Sequence, residues 1–178
     1  MLDTSSPAAP IALMGAAMAG LPYVPLNYRL TDDQLSALIE RIEPAFLITE
    51  SADCQFDVKT HMSREAFLRV AMAEGPSIET WHEDPSAVAV QLFTSGTTGT
   101  PKAALLRHEH LVSYILGSVE FMGAMPEEAT LVSVPPYHIA GISAVMSSIY
   151  ACRRQVQLAN FDAETWVLSL IHISSPRD

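Results

Sequence analysis

The sequence predicts an α/β domain, a layered α-β-α arrangement around a mixed, largely parallel sheet. Three observations carry that prediction. Short apolar, β-branched runs alternate along the chain with segments whose apolar residues recur at helical spacing. Glycine and proline stand at many of the junctions, where they end one element before the next begins. At 178 residues, 49% hydrophobic and 17% charged, the chain can bury a core as one domain or as part of a larger one.

Residues 11–20 are apolar and small and read as the end of a helix, stopped by Gly20 and Pro22, before a short extended piece over 23–26. The clearest helix follows. Thr31 caps it, Gln34 completes a capping box, and Leu35, Leu38, Ile39 and Ile42 recur on one face until Pro44 ends it. Residues 45–49 then read as a buried strand, and residues 51–62, which lack periodicity, as a loop. A helix over 63–73 turns Phe67, Leu68, Ala71 and Met72 inward and is broken at Gly75 and Pro76. After an acidic stretch, residues 87–93 are apolar and β-branched enough for a central strand. A strand over 103–106 and a helix over 111–122 come next, the helix with Leu111, Ile115, Val119 and Met122 along one side. A strand over 131–134, a helix over 142–150 with Val145, Met146 and Ile149 inward, and a short strand over 155–158 continue the alternation. Asp162 caps a last helix.

The net charge of -10 excludes a nucleic-acid partner, since releasing counterions from a polyanion needs a basic stripe and the Lys and Arg residues here are scattered. Cys54 and Cys152 form neither a disulfide framework nor a zinc-ligand pattern, which points to the reducing cytoplasm. Residues 8–21 are apolar, but no Lys or Arg precedes Arg29 and Asp3 stands where a signal peptide carries positive charge. No apolar run is long enough to span a bilayer.

Between two predicted strands, residues 94–102 read Thr-Ser-Gly-Thr-Thr-Gly-Thr-Pro-Lys. Glycine lets backbone N–H groups converge on an anion, hydroxyls donate further hydrogen bonds, and a lysine adds a mobile positive charge. Composition alone equally allows a polar hairpin turn. The order of residues discriminates further. The Walker A loop does not fit, because Gly96 and Gly99 are three apart, Pro101 precedes Lys102, and a strand-like run follows. The Gly-x-Gly-x-x-Gly dinucleotide fingerprint is absent.

The stretch does resemble the phosphate loop of the adenylate-forming, or AMP-binding, superfamily, which includes acyl-CoA synthetases, luciferases and the adenylation domains of peptide synthetases. Residues 20–27, Gly-Leu-Pro-Tyr-Val-Pro-Leu-Asn, with Arg29-Leu30-Thr31 after them, are similar to an early segment and capped helix of that family. Residues 106–111 resemble its strand-to-helix passage, and Pro135-Pro136-Tyr137-His138-Ile139-Ala140-Gly141 its aromatic-histidine motif. The likeness covers roughly residues 10–167.

The resemblance implies the N-terminal part of an acyl-CoA synthetase of the long-chain fatty-acid type, with residues 1–167 forming part of its AMP-binding domain. It implies activation of a small carboxylic acid by ATP with Mg²⁺, and transfer of the acyl group to coenzyme A. Thr94, Ser95, Gly96, Thr97, Thr98 and Gly99 match the positions that enclose the β- and γ-phosphates, and Lys102 matches the loop lysine. His138 matches a pocket histidine beside the carboxylate, with Tyr137 as an aromatic wall and Gly141 closing the motif. His108 and His110 read as solvated or packed, Asp32, Asp33, Glu127 and Glu128 as helix-start or surface charges, and no metal site is expected.

Two alternatives stay open: an amino-acid adenylation domain of a peptide synthetase, and a non-catalytic nucleotide-binding module. Ala103 stands where the family usually has glycine. The sequence also contains no Tyr-Gly-x-Thr-Glu motif for adenine and Mg²⁺, no Thr-Gly-Asp motif for ribose, no hinge and no late catalytic lysine. Residues 168–178 read as a tail foreign to the family. The expectation is a chain that is inactive alone and that self-associates through uncovered apolar surface.

Overall fold

A computed structural model of the chain describes residues 1–73, 81–94 and 101–174. The first helix, α1 (Ala8–Met18), buries Ala8, Ala9, Ala12 and Leu13 on one side. Gly20 ends this unit at φ +69°, and a Cβ there would lie 2.8 Å from the His82 ring, so both conformation and space require glycine. Tyr23 then runs beside a later strand, its N–H donating to the Ala89 carbonyl at 2.9 Å and its carbonyl accepting from Gln91 N–H at 3.0 Å. Helix α2 (Asp32–Glu40) starts on the predicted capping box: Thr31 Oγ1 accepts from Gln34 N–H, and Gln34 Oε1 accepts from Thr31 N–H at 3.1 Å. Its Leu35, Leu38 and Ile39 are buried, while Ile42 lies half-buried beyond the helix end.

Strand β1 (Phe46–Thr49) pairs in parallel with β2 (Thr60–Ser63). The second of these falls within the stretch read as a loop. Its Thr-His-Met-Ser sequence carries no apolar alternation because no side chain on it is fully buried. Helix α3 (Arg64–Ala73) follows at once and packs Phe67 and Leu68 on the core, but Ala71 and Met72 are exposed rather than inward.

Strand β3 (Val88–Thr94) and β4 (Lys102–Arg107) form an antiparallel pair. Helix α4 (His108–Ser118) buries Leu111 and Ile115 as its spacing predicts. It stops short of the expected end. Ser118 Oγ donates back to the Tyr114 carbonyl at 2.8 Å, Val119 is extended, and Met122 is exposed at φ +52°. Strand β5 (Ala129–Val132), helix α5 (Ile139–Tyr150) and strand β6 (Arg154–Gln157) make a parallel β-α-β unit. Ile142 and Val145 are buried in α5 and Met146 packs on the core, whereas Ile149 is 37% exposed. Helix α6 (Ala163–Ser174) begins on Asp162, whose carboxylate accepts from Thr165 N–H at 2.8 Å, and it is continuous across residues 167 and 168.

Among the described residues the strands form three two-stranded ladders, two parallel and one antiparallel, so the sheet is mixed as predicted but built in short pieces. Extended segments join two of them. Leu2 N–H donates to the Ile48 carbonyl, Leu26 N–H to the Met1 carbonyl, and Tyr23 bridges to Val90. The main core gathers α1, β3, α4, β5 and α5 around Leu13, Val90, Leu92, Leu111, Val132 and Ile142. A second cluster lies under α2, around Leu26, Leu35, Leu38 and Leu47.

A buried carboxylate anchors the first residues. Asp3 is fully covered and accepts from Arg64 Nη1 and Ser6 Oγ, each at 2.8 Å, while Arg64 also reaches Glu50 at 3.1 Å. Burial raises the Asp3 carboxyl above its ordinary range, against the lowering exerted by Ser6 and Arg64.

Candidate functional site

The β3–β4 ladder fixes both stems of the glycine-rich loop. Thr94, the last residue of β3, faces Lys102, the first of β4, and Thr94 Oγ1 donates to the Lys102 carbonyl at 3.4 Å. Both side chains are exposed, and among the described residues no ion pair engages the Lys102 ammonium. Ser95, Gly96, Thr97, Thr98 and Gly99 lie outside the described residues. Strands β3 and β4 are antiparallel partners up to the Thr94–Lys102 pair, an arrangement compatible with both readings of the composition between them.

The turn at residues 135–138 positions the second group. His138 N–H donates to the Pro135 carbonyl at 3.1 Å, and His138 occupies the N-cap of α5 with its imidazole exposed. Tyr137 packs against it with the rings tilted and their centroids 4.7 Å apart, and meets Tyr28 edge-on at 5.5 Å. Tyr28 in turn donates to Asn160 Oδ1 at 2.8 Å and carries the Arg29 guanidinium 5.7 Å above its ring. Burial raises the Tyr137 phenol above its ordinary value, opposed by the charge of Arg29. Gly141 is buried one turn into α5, where a Cβ would sit 2.9 Å from the Pro135 carbonyl oxygen; its small size lets the helix close on the turn.

The structure therefore brings Thr94 and Lys102 together in one ladder, and Tyr137, His138 and Gly141 in one turn. Among the described residues no hydrogen bond or ring contact links the two groups. His110 is engaged locally, its Nδ1 accepting from Arg107 N–H at 3.2 Å. Among the described residues no group of three or more His, Cys, Asp or Glu side chains is placed to hold a metal ion.

Three residues beside these groups escaped the sequence reading. Tyr28 and Asn160 complete the aromatic cluster, and Arg41, at the end of α2, donates from Nη1 to the Pro101 carbonyl at 2.9 Å and lies 5.0 Å from the Phe93 ring centre. Tyr28 had a signal in its place between Asn27 and Arg29. Arg41 had none, because its partner lies sixty residues away.

Comparison with known proteins bears on the family. The AMP-binding enzyme family matches the chain over residues 1–176. The 2-succinylbenzoate–CoA ligase of Arabidopsis thaliana, named as chloroplastic/peroxisomal, is 24% identical over 86% of this chain and 32% of its own length. The D-alanine–D-alanyl carrier protein ligase of Streptococcus pneumoniae is 32% identical over 67% of this chain and 23% of its own. The chain thus spans about a third or less of these curated relatives. Among solved structures, MatB of Rhodopseudomonas palustris superposes with a TM-score of 0.79 at 22% identity, over 97% of this chain and 37% of that one. The o-succinylbenzoate CoA synthetase of Bacillus subtilis, in complex with its acyl-adenylate intermediate, gives 0.74 at 22% identity, over 97% and 46%. These two likenesses establish a shared fold, that of the N-terminal portion of adenylate-forming enzymes. With a family match that runs nearly the full length, the chain belongs to the AMP-binding enzyme family.

Proposed function

We propose that this chain is the phosphate-loop portion of a ligase that uses ATP to convert a carboxylic acid into an acyl-adenylate and then passes the acyl group to the thiol of coenzyme A. The observation that carries the reading is the antiparallel pairing that sets Thr94 across from Lys102 at the ends of a hydroxyl- and glycine-rich stretch of sequence. Attack of a carboxylate on the α-phosphorus of ATP leaves negative charge on the departing pyrophosphate. Donors and a cation held in place by the fold stabilise that charge more in the transition state than in the ground state. Lys102 and the hydroxyls of Thr94, Ser95, Thr97 and Thr98 are suited to that role, with Gly96 and Gly99 allowing close backbone approach. Mg²⁺ would arrive with the triphosphate.

His138 and the wall formed by Tyr28 and Tyr137 are our candidates for the acid's side of the site. The relatives above are named for 2-succinylbenzoate and D-alanine, so a long-chain fatty acid has no particular support. A carrier-protein thiol is a second reading for the acceptor, favoured by the D-alanyl carrier protein ligases. Thioester formation with each thiol, assayed in a protein of the relatives' full length that carries these residues, distinguishes the two.

The phosphate role is tested by calorimetric titration of inorganic tripolyphosphate and MgATP into the 178-residue chain and its Lys102→Ala variant. Both ligands are expected to bind, and the substitution to weaken both about tenfold. A chain that melts cooperatively yet ignores tripolyphosphate overturns the reading. Pyrophosphate exchange by the same chain is expected to be absent, because its sequence carries no adenine or ribose motif.

A further inference from the structure

We propose that Arg41 is a positioning residue for the phosphate loop, holding its two stems from the end of α2; the proposal rests on the nucleotide reading above. Arg41 occupies the C-cap of α2, where a cation ordinarily serves the helix's own unpaired carbonyls. Its guanidinium is used elsewhere. Nη1 donates to the Pro101 carbonyl at 2.9 Å, and the guanidinium carbon lies 5.0 Å from the Phe93 ring centre. Phe93 immediately precedes Thr94, and Pro101 immediately precedes Lys102, so one side chain touches both stems.

The backbone ladder ends at the Thr94–Lys102 pair. Arg41 therefore reaches one residue beyond the last cross-strand pair on the β4 side, at Pro101, while resting on Phe93 one residue inside it on the β3 side. Its charge is also uncommitted: although Glu40 and Glu43 flank it in sequence, among the described residues Arg41 makes no ion pair. Guanidinium stays protonated at all working pH values and has five N–H donors in a fixed fork. One of them engages Pro101, the residue before Lys102, and among the described residues no other hydrogen bond of the guanidinium competes for its remaining donors or its permanent positive charge, which suit a polyanion at the stems.

The test uses the 178-residue chain with Arg41→Ala, Arg41→Gln, Arg41→Lys and Phe93→Leu. Amide hydrogen exchange at residues 92–94 and 102–104 reads the stems without any ligand, tripolyphosphate titration reads the anion, and denaturant unfolding controls for global stability. In Arg41→Ala, stem exchange is expected to accelerate and tripolyphosphate to bind about tenfold more weakly, at nearly unchanged global stability. Arg41→Gln, which can still donate to Pro101, should recover protection but not affinity. Arg41→Lys, which keeps the charge without the guanidinium's planar fork, should recover affinity in part, and Phe93→Leu should loosen the stems alone. Unchanged stem exchange in Arg41→Ala overturns the proposal, as does a loss that merely follows global unfolding. Failure of the unsubstituted chain to bind tripolyphosphate instead defeats the nucleotide reading, while stem exchange still decides whether Arg41 holds the loop.

Discussion

Gly141 shows how a site motif can be imposed by space. The carbonyl oxygens of Pro135 and Val134 stand 2.9 and 3.3 Å from where its Cβ would be, and both belong to backbone that cannot swing away. Gly141→Ala should therefore push α5 off the turn that carries Tyr137 and His138, costing about 1–3 kcal/mol in urea unfolding. A variant as stable as the original would show that the turn yields freely. Asp3 illustrates the opposite constraint, a charge kept inside because its surroundings satisfy it. Arg64, Ser6 and the Thr4 amide each supply a hydrogen bond within 2.8 Å. Burial without those partners would neutralise the group.

At the scale of elements, local sequence decides most strongly where side chain and backbone answer one another. Thr31 and Gln34 form a reciprocal cap on α2, and Thr31→Ala is expected to lower stability by about 1 kcal/mol, measured as a shift in the denaturation midpoint at constant slope. That cap, the Asp162 cap, the buried face of α2 and the burial of Leu111 and Ile115 on α4 were legible beforehand because their signals lie within a few residues of each other. The hairpin stems were legible for the same reason. What stayed hidden depends on distant chain. β2 exists because β1 supplies a parallel partner, and His61 within it meets Thr49 at 2.6 Å, contacts that no local pattern in Thr-His-Met-Ser encodes. The opposite error occurred in α3 and α5, where helical spacing promised burial for Met72 and Ile149 but no neighbouring element among the described residues covers them fully. In the candidate site, Tyr137 and His138 could be read from one motif, whereas Tyr28 and Asn160 joined them only through tertiary folding.

At the scale of the whole 178-residue chain, its terminal amino group at Met1 sets a pH dependence. It is buried and donates to the Val24 carbonyl at 2.7 Å, and burial lowers its pKa from 8.0 to about 5. Between those values the unfolded chain binds a proton that the folded chain refuses, so stability falls as pH drops from 8 towards 5. Asp3 opposes this only in the acid range: its raised carboxyl penalises the folded state as pH rises above the ordinary 3.8. Melting temperatures should accordingly climb from pH 6 to pH 8, and a flat profile there would contradict a buried neutral amine. Uncovered apolar side chains set a second expectation. Val112 and Leu116 on α4, with Phe121, Met122, Met125 and Phe161, are about half exposed or more. The chain should self-associate in size-exclusion chromatography as concentration rises, and a sharp monomer peak at every concentration would count against it. The segment that joins the two ladders has a further consequence, for synthesis. Its first residues leave the ribosome before Val24, Leu26 and Ile48, the very groups that flank them in the folded sheet. A middle strand is thus made before either neighbour exists, and its pairing waits on chain not yet translated. Slowing translation between residues 3 and 48 would lengthen that wait.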